Sequence, residues 1–239
     1  MSKKTDGRRK SPSELRRGGQ VSRWSADRIR KSDRTRRRLL EALEELLQRQ
    51  KLNEISVDDV AAAAGVRRTS FYFYFPSKAV AVAAVLDELY DETFVGASLF
   101  MSRSTERTAA VREALVHLLA LWQQHRSVMI AVLDARAANR EAAEIWERWL
   151  ERFVAPVVEV IDADRATGLA PSGPEPAVMV RLLLSMNVVS LDRMLRGQVA
   201  PEDAEREIDA LTAVWVRSIY GHDGVACGPA LRTSSAVDS

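Results

Sequence analysis

The stretch SVDDVAAAAGVRRTSFYFYFPSK, Ser56 to Lys78, decides the fold. Ser56 is a favourable helix N-cap, and Asp58 and Asp59 follow in the first turn, where the helix dipole favours negative charge. Val57, Val60, Ala61 and Ala64 share one face of that helix. Gly65 is the residue most tolerant of positive φ where the helix must stop sharply. The small Ala61 lets a second helix cross closely, with Val66, Phe71 and Tyr74 packing back over it. This is the pattern of a helix-turn-helix, which sets its second helix in the major groove of DNA.

That second helix carries hydrogen-bond donors and flat rings rather than a solvating run of Glu and Lys. Phe71 and Phe75, at i and i+4, anchor its buried side. Pro76 stops it, and Ser77 caps the next helix. Lys78 then lies in a first turn, where a cation is unfavourable on dipole grounds and a phosphate would explain it. The DNA-binding candidates are Arg67, Arg68, Thr69, Ser70, Tyr72 and Phe73 on bases, with Tyr74 and Lys78 on phosphates.

TSFYFYFPSK resembles the signature of the TetR family of bacterial transcriptional regulators, and ISVDDVAAAAGV resembles that family's first motif helix. The likeness extends through ISVDD, FYFYFPSK, VIDADR and WVRSIYG, which resemble the EthR-like subgroup from residue 35 or so to residue 221. The resemblance implies an all-α fold in which a three-helix DNA-binding domain precedes a helical domain that dimerises and binds an effector. It also implies a homodimeric repressor that binds palindromic operator DNA, is released by a lipophilic small molecule, and controls a neighbouring monooxygenase gene.

The rest of the chain reads as helical. RTRRRLLEALEELLQRQ puts Leu39, Leu40, Leu43, Leu46 and Leu47 on one stripe, with Asp33 as the cap. A longer helix is expected from Ser77 to Phe94, and others near 106–123, 126–138, 140–167, 175–196 and 202–220, roughly nine in all. Gly168, the PSGPEP turn at 171–176, Gly197 and Gly221 mark the stops. The expected organisation is a disordered basic arm (1–32), the DNA-binding domain (33–78), the effector and dimerisation domain (79–221) and a disordered tail (222–239).

A net charge of +2 over 239 residues conceals an asymmetry. Residues 1–38 hold 15 Lys and Arg against 4 Asp and Glu, and the remainder holds 20 against 29. A basic arm directly before the motif adds phosphate attraction and salt dependence without much specificity. No apolar run reaches the ~18 residues of a membrane span. Cys227, the only cysteine, rules out an internal disulfide, so a cytoplasmic chain is expected.

An enzyme fits poorly. His117, His125 and His222 lack i, i+4 metal spacing, there is no phosphate-binding Gly loop, and no Ser has an evident base. No cofactor or metal is expected. The acidic residues, including those of DADR at 162–165, read as solvent-facing or capping.

Large apolar groups recur at helical spacing in the body: Leu118 and Trp122; Met129 and Leu133; Trp146, Trp149, Leu150 and Phe153; Met186 with Asn187; and Trp215. Several Trp residues on facing helices tend to leave an apolar cavity. By resemblance, Leu118, Trp146, Leu150, Phe153, Asn187 and Trp215 match wall positions of the subgroup's ligand tunnel. Leu184 stands where a second wall Asn is found, Pro156 at a Tyr position and Val111 at a Trp position. The effector-binding candidates are Leu118, Trp122, Met129, Trp146, Trp149, Leu150, Phe153, Met186, Asn187 and Trp215. Asn187 reads equally as a ligand contact or as a buried Asn bonded to backbone.

The resemblance puts the dimer contact on the last two helices, with Leu182, Val189, Arg193, Ile208, Leu211, Val214 and Ile219 as candidates. A ligand-independent architectural DNA-binding protein is the alternative, and a densely filled core between Trp146 and Trp215 would favour it.

Overall fold

The computed structural model describes residues 32–101 and 106–221. The arm before residue 32 and the segment after Gly221, with His222 and Cys227, lie outside the described residues. Among the described residues there are eleven α-helices, two 3-10 turns and no strand, so the all-α expectation holds. The chain divides into two compact units between Pro76 and Ser77.

The first unit holds α1 (32–47), α2 (Val57–Ala63) and α3 (Arg68–Tyr74). Residue 32 is already helical, so Asp33 lies within α1 rather than before it. Leu39, Leu40, Leu43 and Leu47 are buried with Ile55, Val60, Ala61, Phe71 and Phe75, whereas Leu46 is only half-buried. Ser56 closes a capping box: its Oγ accepts from Asp59 N at 3.1 Å, and its own N–H donates to Asp59 Oδ2 at 2.8 Å.

Gly65, at φ 62°, ends α2. Its N–H donates to Ala62 O at 3.0 Å and that of Val66 to Ala61 O at 2.9 Å, the paired bonds of a Schellman motif. The Arg38 guanidinium donates to Ala64 O beside this turn, and a Cβ on Gly65 would stand 2.8 Å from Arg38 Nη2. The turn is thus closed by backbone geometry that an L side chain rarely adopts.

The second unit begins with Ser77, whose Oγ accepts from Val80 N at 3.2 Å to cap α4 (Lys78–Ala84). After a 3-10 turn at Val85–Asp87 come α5 (Tyr90–Met101), α6 (Arg107–Gln124), α7 (Arg126–Ala138), α8 (Arg140–Glu151), α9 (Val154–Ala166), α10 (Pro176–Leu195) and α11 (Ala204–Tyr220). Two expected long helices are therefore broken, which accounts for eleven rather than nine. The Ser77–Phe94 helix tightens at Val85, within a run buried from Val80 to Leu86 whose all-round burial hides the break from a periodicity reading.

The 140–167 helix breaks at Arg152–Phe153 because of Pro156. A proline ring clashes with the carbonyl four residues earlier, here that of Arg152, and has no N–H to offer it. Restarting the helix at Val154 leaves Pro156 in a first turn, where no N–H is needed.

Asp164 corrects another expectation, for it is buried rather than solvent-facing. Arg107 Nη2 donates to its Oδ1 at 2.7 Å and the Tyr220 hydroxyl to its Oδ2 at 2.8 Å. Both carboxylate oxygens are satisfied, and the group ties the start of α6 and the end of α11 to the end of α9.

Candidate functional site

On the first unit, α3 exposes Arg68, Thr69, Tyr72 and Phe73, while Phe71 packs inward. Ser70 and Tyr74 are half-buried, and Arg67 is the exposed N-cap residue preceding the helix. Phe73 is 78 % exposed, an apolar ring that nothing in its own unit requires at the surface. Such a ring suits a thymine methyl group. Arg68 pairs with Asp58 of α2 and donates from Nη2 to the Tyr72 hydroxyl at 3.3 Å. The Tyr72 hydroxyl first, and Asp58 next, hold its guanidinium above the ordinary arginine range. Lys78 is half-buried at the start of α4, in the second unit.

Within the second unit an apolar cavity of about 90 Å³ lies among α5, α6, α8, α9, α10 and α11. It is several times the ~10–15 Å³ that one water requires. α6 contributes Val111, Ala114, Leu115, Leu118 and Trp122; α8 and the start of α9 contribute Trp149, Leu150, Phe153 and Val157. Leu184, Asn187, Val188 and Leu191 of α10, Trp215 of α11 and Thr93 of α5 complete the wall. The Thr93 hydroxyl is spent on Leu89 O at 2.8 Å. Asn187, 4 % exposed, accepts from Trp215 Nε1 at 2.9 Å through Oδ1. Its partner is therefore a side chain, the Trp215 indole of α11, rather than backbone.

The pattern of bacterial regulatory proteins of the tetR family matches residues 39–85, and that of the transcriptional regulator EthR C-terminal domain matches residues 111–221. The chain is 32% identical over 187 residues to the HTH-type transcriptional regulator EthR of Mycobacterium tuberculosis, covering 77% of this chain and 87% of that protein. The chain belongs to the TetR family of bacterial transcriptional regulators, on its EthR-like side. The EthR of Mycolicibacterium smegmatis is 30% identical over 190 residues, covering 77% of this chain and 85% of that one.

Solved TetR-family structures share the fold. A regulator from Mesorhizobium loti matches with a TM-score of 0.60 at 16% identity, over 77% of this chain and 96% of its own. One from Rhodococcus sp. RHA1 matches with a TM-score of 0.57 at 24% identity, over 76% and 94%. The family consists of DNA-binding regulators rather than enzymes. Among the described residues no cluster of His, Cys, Asp and Glu could hold a metal ion, and no single helix is long and apolar enough to cross a membrane.

For this TetR-family chain, the wall brings together Leu118, Trp122, Trp149, Leu150, Phe153, Asn187 and Trp215 from the expected set. Trp146, Met129 and Met186 do not line it. Trp146 is fully buried behind the wall, its ring 6.3 Å from that of Trp122 and 5.3 Å from that of Trp149, with Arg136 over its face. Met129 is buried core, and Met186 is partly buried against the core cluster. Thr93, Ala114, Leu115, Val157, Val188 and Leu191 were not anticipated. Two signals could have found half of them: Val111, Leu115, Leu118 and Trp122 form one stripe, and Leu184, Asn187, Val188 and Leu191 another. Val111 and Leu184, at positions where the subgroup carries Trp and Asn, both line the wall, whereas Pro156 does not.

The dimer candidates divide as well. Leu182, Val189 and Val214 are exposed, but Ile208, Leu211 and Ile219 belong to the chain's own core and present no surface. Arg193 is half-exposed and donates to Glu207 at 2.9 Å.

Proposed function

We propose that the chain is a homodimeric repressor that binds a palindromic operator through α3 and is released by a lipophilic effector seated among α6, α8, α10 and α11. The observation that carries effector control is the apolar cavity with one polar pair in its wall, Asn187 and Trp215. An indole N–H only donates, so the Asn187 oxygen must face Trp215 and the amide NH₂ is the group left for a ligand. The preferred effector is apolar with a hydrogen-bond acceptor, such as a carbonyl. Leu184, in place of a second Asn, removes a polar anchor and shifts preference toward less polar ligands.

An unpartnered apolar stripe on α10, with Leu182 and Val189, supports a two-fold dimer whose α3 helices would stand roughly 34–36 Å apart on the DNA. Arg67, Arg68, Thr69, Ser70, Tyr72 and Phe73 read bases, Tyr74 and Lys78 hold phosphates, and the basic arm adds salt-sensitive affinity. The effector acts by binding the DNA-incompetent state more tightly than the competent one, since equal affinity would shift nothing. A neighbouring monooxygenase gene is the first regulatory target to examine. The open cavity favours this reading over a ligand-independent architectural protein.

A gel shift on the chain's own upstream intergenic DNA, titrated with a panel of lipophilic amides and ketones, tests the proposal. Release of DNA from the native protein, but not from a Leu118→Trp variant with the cavity filled, is the expected result. Equal release from both would refute the cavity as the effector site. Failure of Tyr72→Ala and Lys78→Ala to weaken binding would refute the assignment of α3.

A further inference from the structure

Asp58 and Arg68 stand on opposite arms of the helix-turn-helix, at the second residue of α2 and the first of α3, and their side chains pair across the turn. Both are more than half exposed, at 60% and 55%, so the pair contributes little to folding. Its placement is also costly for plain phosphate attraction. A carboxylate on the surface that faces DNA repels the backbone, and it cancels the charge Arg68 could offer.

The arrangement makes sense if Arg68 is held for a base. Arg68 donates to Asp58 from Nη1 and to the Tyr72 hydroxyl from Nη2, and its guanidinium lies 5.6 Å from the Tyr72 ring centre. A guanidinium has five N–H donors, so three remain beyond those given to Asp58 and Tyr72 for a further acceptor pair. Guanine alone among the bases presents two acceptors, N7 and O6, side by side in the major groove, and arginine meets them with two bonds. An arginine oriented beforehand loses less freedom on binding than one that is free to rotate.

We propose that Asp58 is a specificity-determining residue that holds Arg68 in position to read a guanine in each operator half-site. The inference rests on α3 being the groove-reading helix.

The test is selection of binding sites by the full-length protein from a duplex library with a randomised core, followed by affinities for single-base variants at one salt concentration. The native protein should select a symmetric G·C pair, and any other pair there should weaken binding roughly ten-fold or more. Arg68→Ala should flatten the preference at that position alone. Asp58→Ala should do the same, while Asp58→Asn, which keeps an acceptor oxygen, retains part of it. The double variant should lose no more there than either single one. Undiminished discrimination at the other positions reports that the motif is still folded.

Two results overturn the proposal while leaving the DNA-reading helix intact: Asp58→Ala strengthening binding to every sequence alike, or leaving the base profile unchanged. Enrichment of no sequence by the native protein would overturn the assignment of α3 itself, and the proposal with it.

Discussion

Trp215 and Asn187 close the cavity wall with one buried hydrogen bond, from the indole Nε1 to the amide Oδ1 at 2.9 Å. Removing the acceptor leaves the indole without this partner in an apolar setting. Asn187→Ala should cost roughly 1–3 kcal/mol in urea unfolding. It should also blunt the response to carbonyl-bearing ligands while effector-free DNA binding persists. Retention of both stability and response would show that this bond organises nothing.

Trp146 and Leu118 are both wall candidates by sequence, and their different positions in the structure predict different phenotypes. Trp146 fills the space between Trp122 and Trp149 and is fully buried, so Trp146→Ala should lose roughly 3–5 kcal/mol of stability. Leu118→Ala enlarges an existing cavity and should change which ligands release DNA, with a smaller loss in thermal unfolding. A Trp146→Ala variant as stable as the native chain would contradict its placement.

Burial away from solvent first, and the hydrogen bond to the Asp164 carboxylate next, push the Tyr220 hydroxyl well above the ordinary tyrosine value of 10.0. The unfolded chain releases that proton near pH 10 while the folded protein keeps it. The folded state then binds more protons, so stability falls as pH rises above that point. Tyr220→Phe should remove this contribution to the alkaline decline and cost roughly 1.5–3 kcal/mol at neutral pH, because a hydrogen bond to a buried charge is lost. Denaturant unfolding at pH 8 and pH 10.5, on both proteins, checks the sign.

Leu182 and Val189 are 67% and 61% exposed, at positions seven residues apart on α10. A lone protomer would not be expected to keep such a stripe in water. Leu182→Glu with Val189→Glu should shift the protein to monomer by light scattering and abolish operator binding, with helical circular dichroism preserved. A dimer that survives both changes must be held elsewhere.

The helix-turn-helix was readable from residues 56–78 because its determinants are local. The cap at Ser56, the positive φ at Gly65, the i, i+4 pair Phe71 and Phe75, and the stop at Pro76 each act within a few residues of themselves. The all-α body was readable for the same reason, and the break at Pro156 was present in the sequence although the apolar periodicity on either side masked it.

Tertiary structure alone decided the rest. Helical spacing identifies a buried stripe but not the helix it will face, so it could not separate Trp146, packed behind the wall, from Trp149, which lines it. It likewise could not show that Ile208, Leu211 and Ile219 are used up in the chain's own core. Asp164 looks like any solvent-facing acid until Arg107, 57 positions earlier, and Tyr220, 56 positions later, are brought to its two oxygens. The pairing of Asp58 with Arg68 needs the turn between them to close. Short-range steric and hydrogen-bond preferences are written residue by residue, whereas burial and partnership belong to the packed chain, where the helices meet.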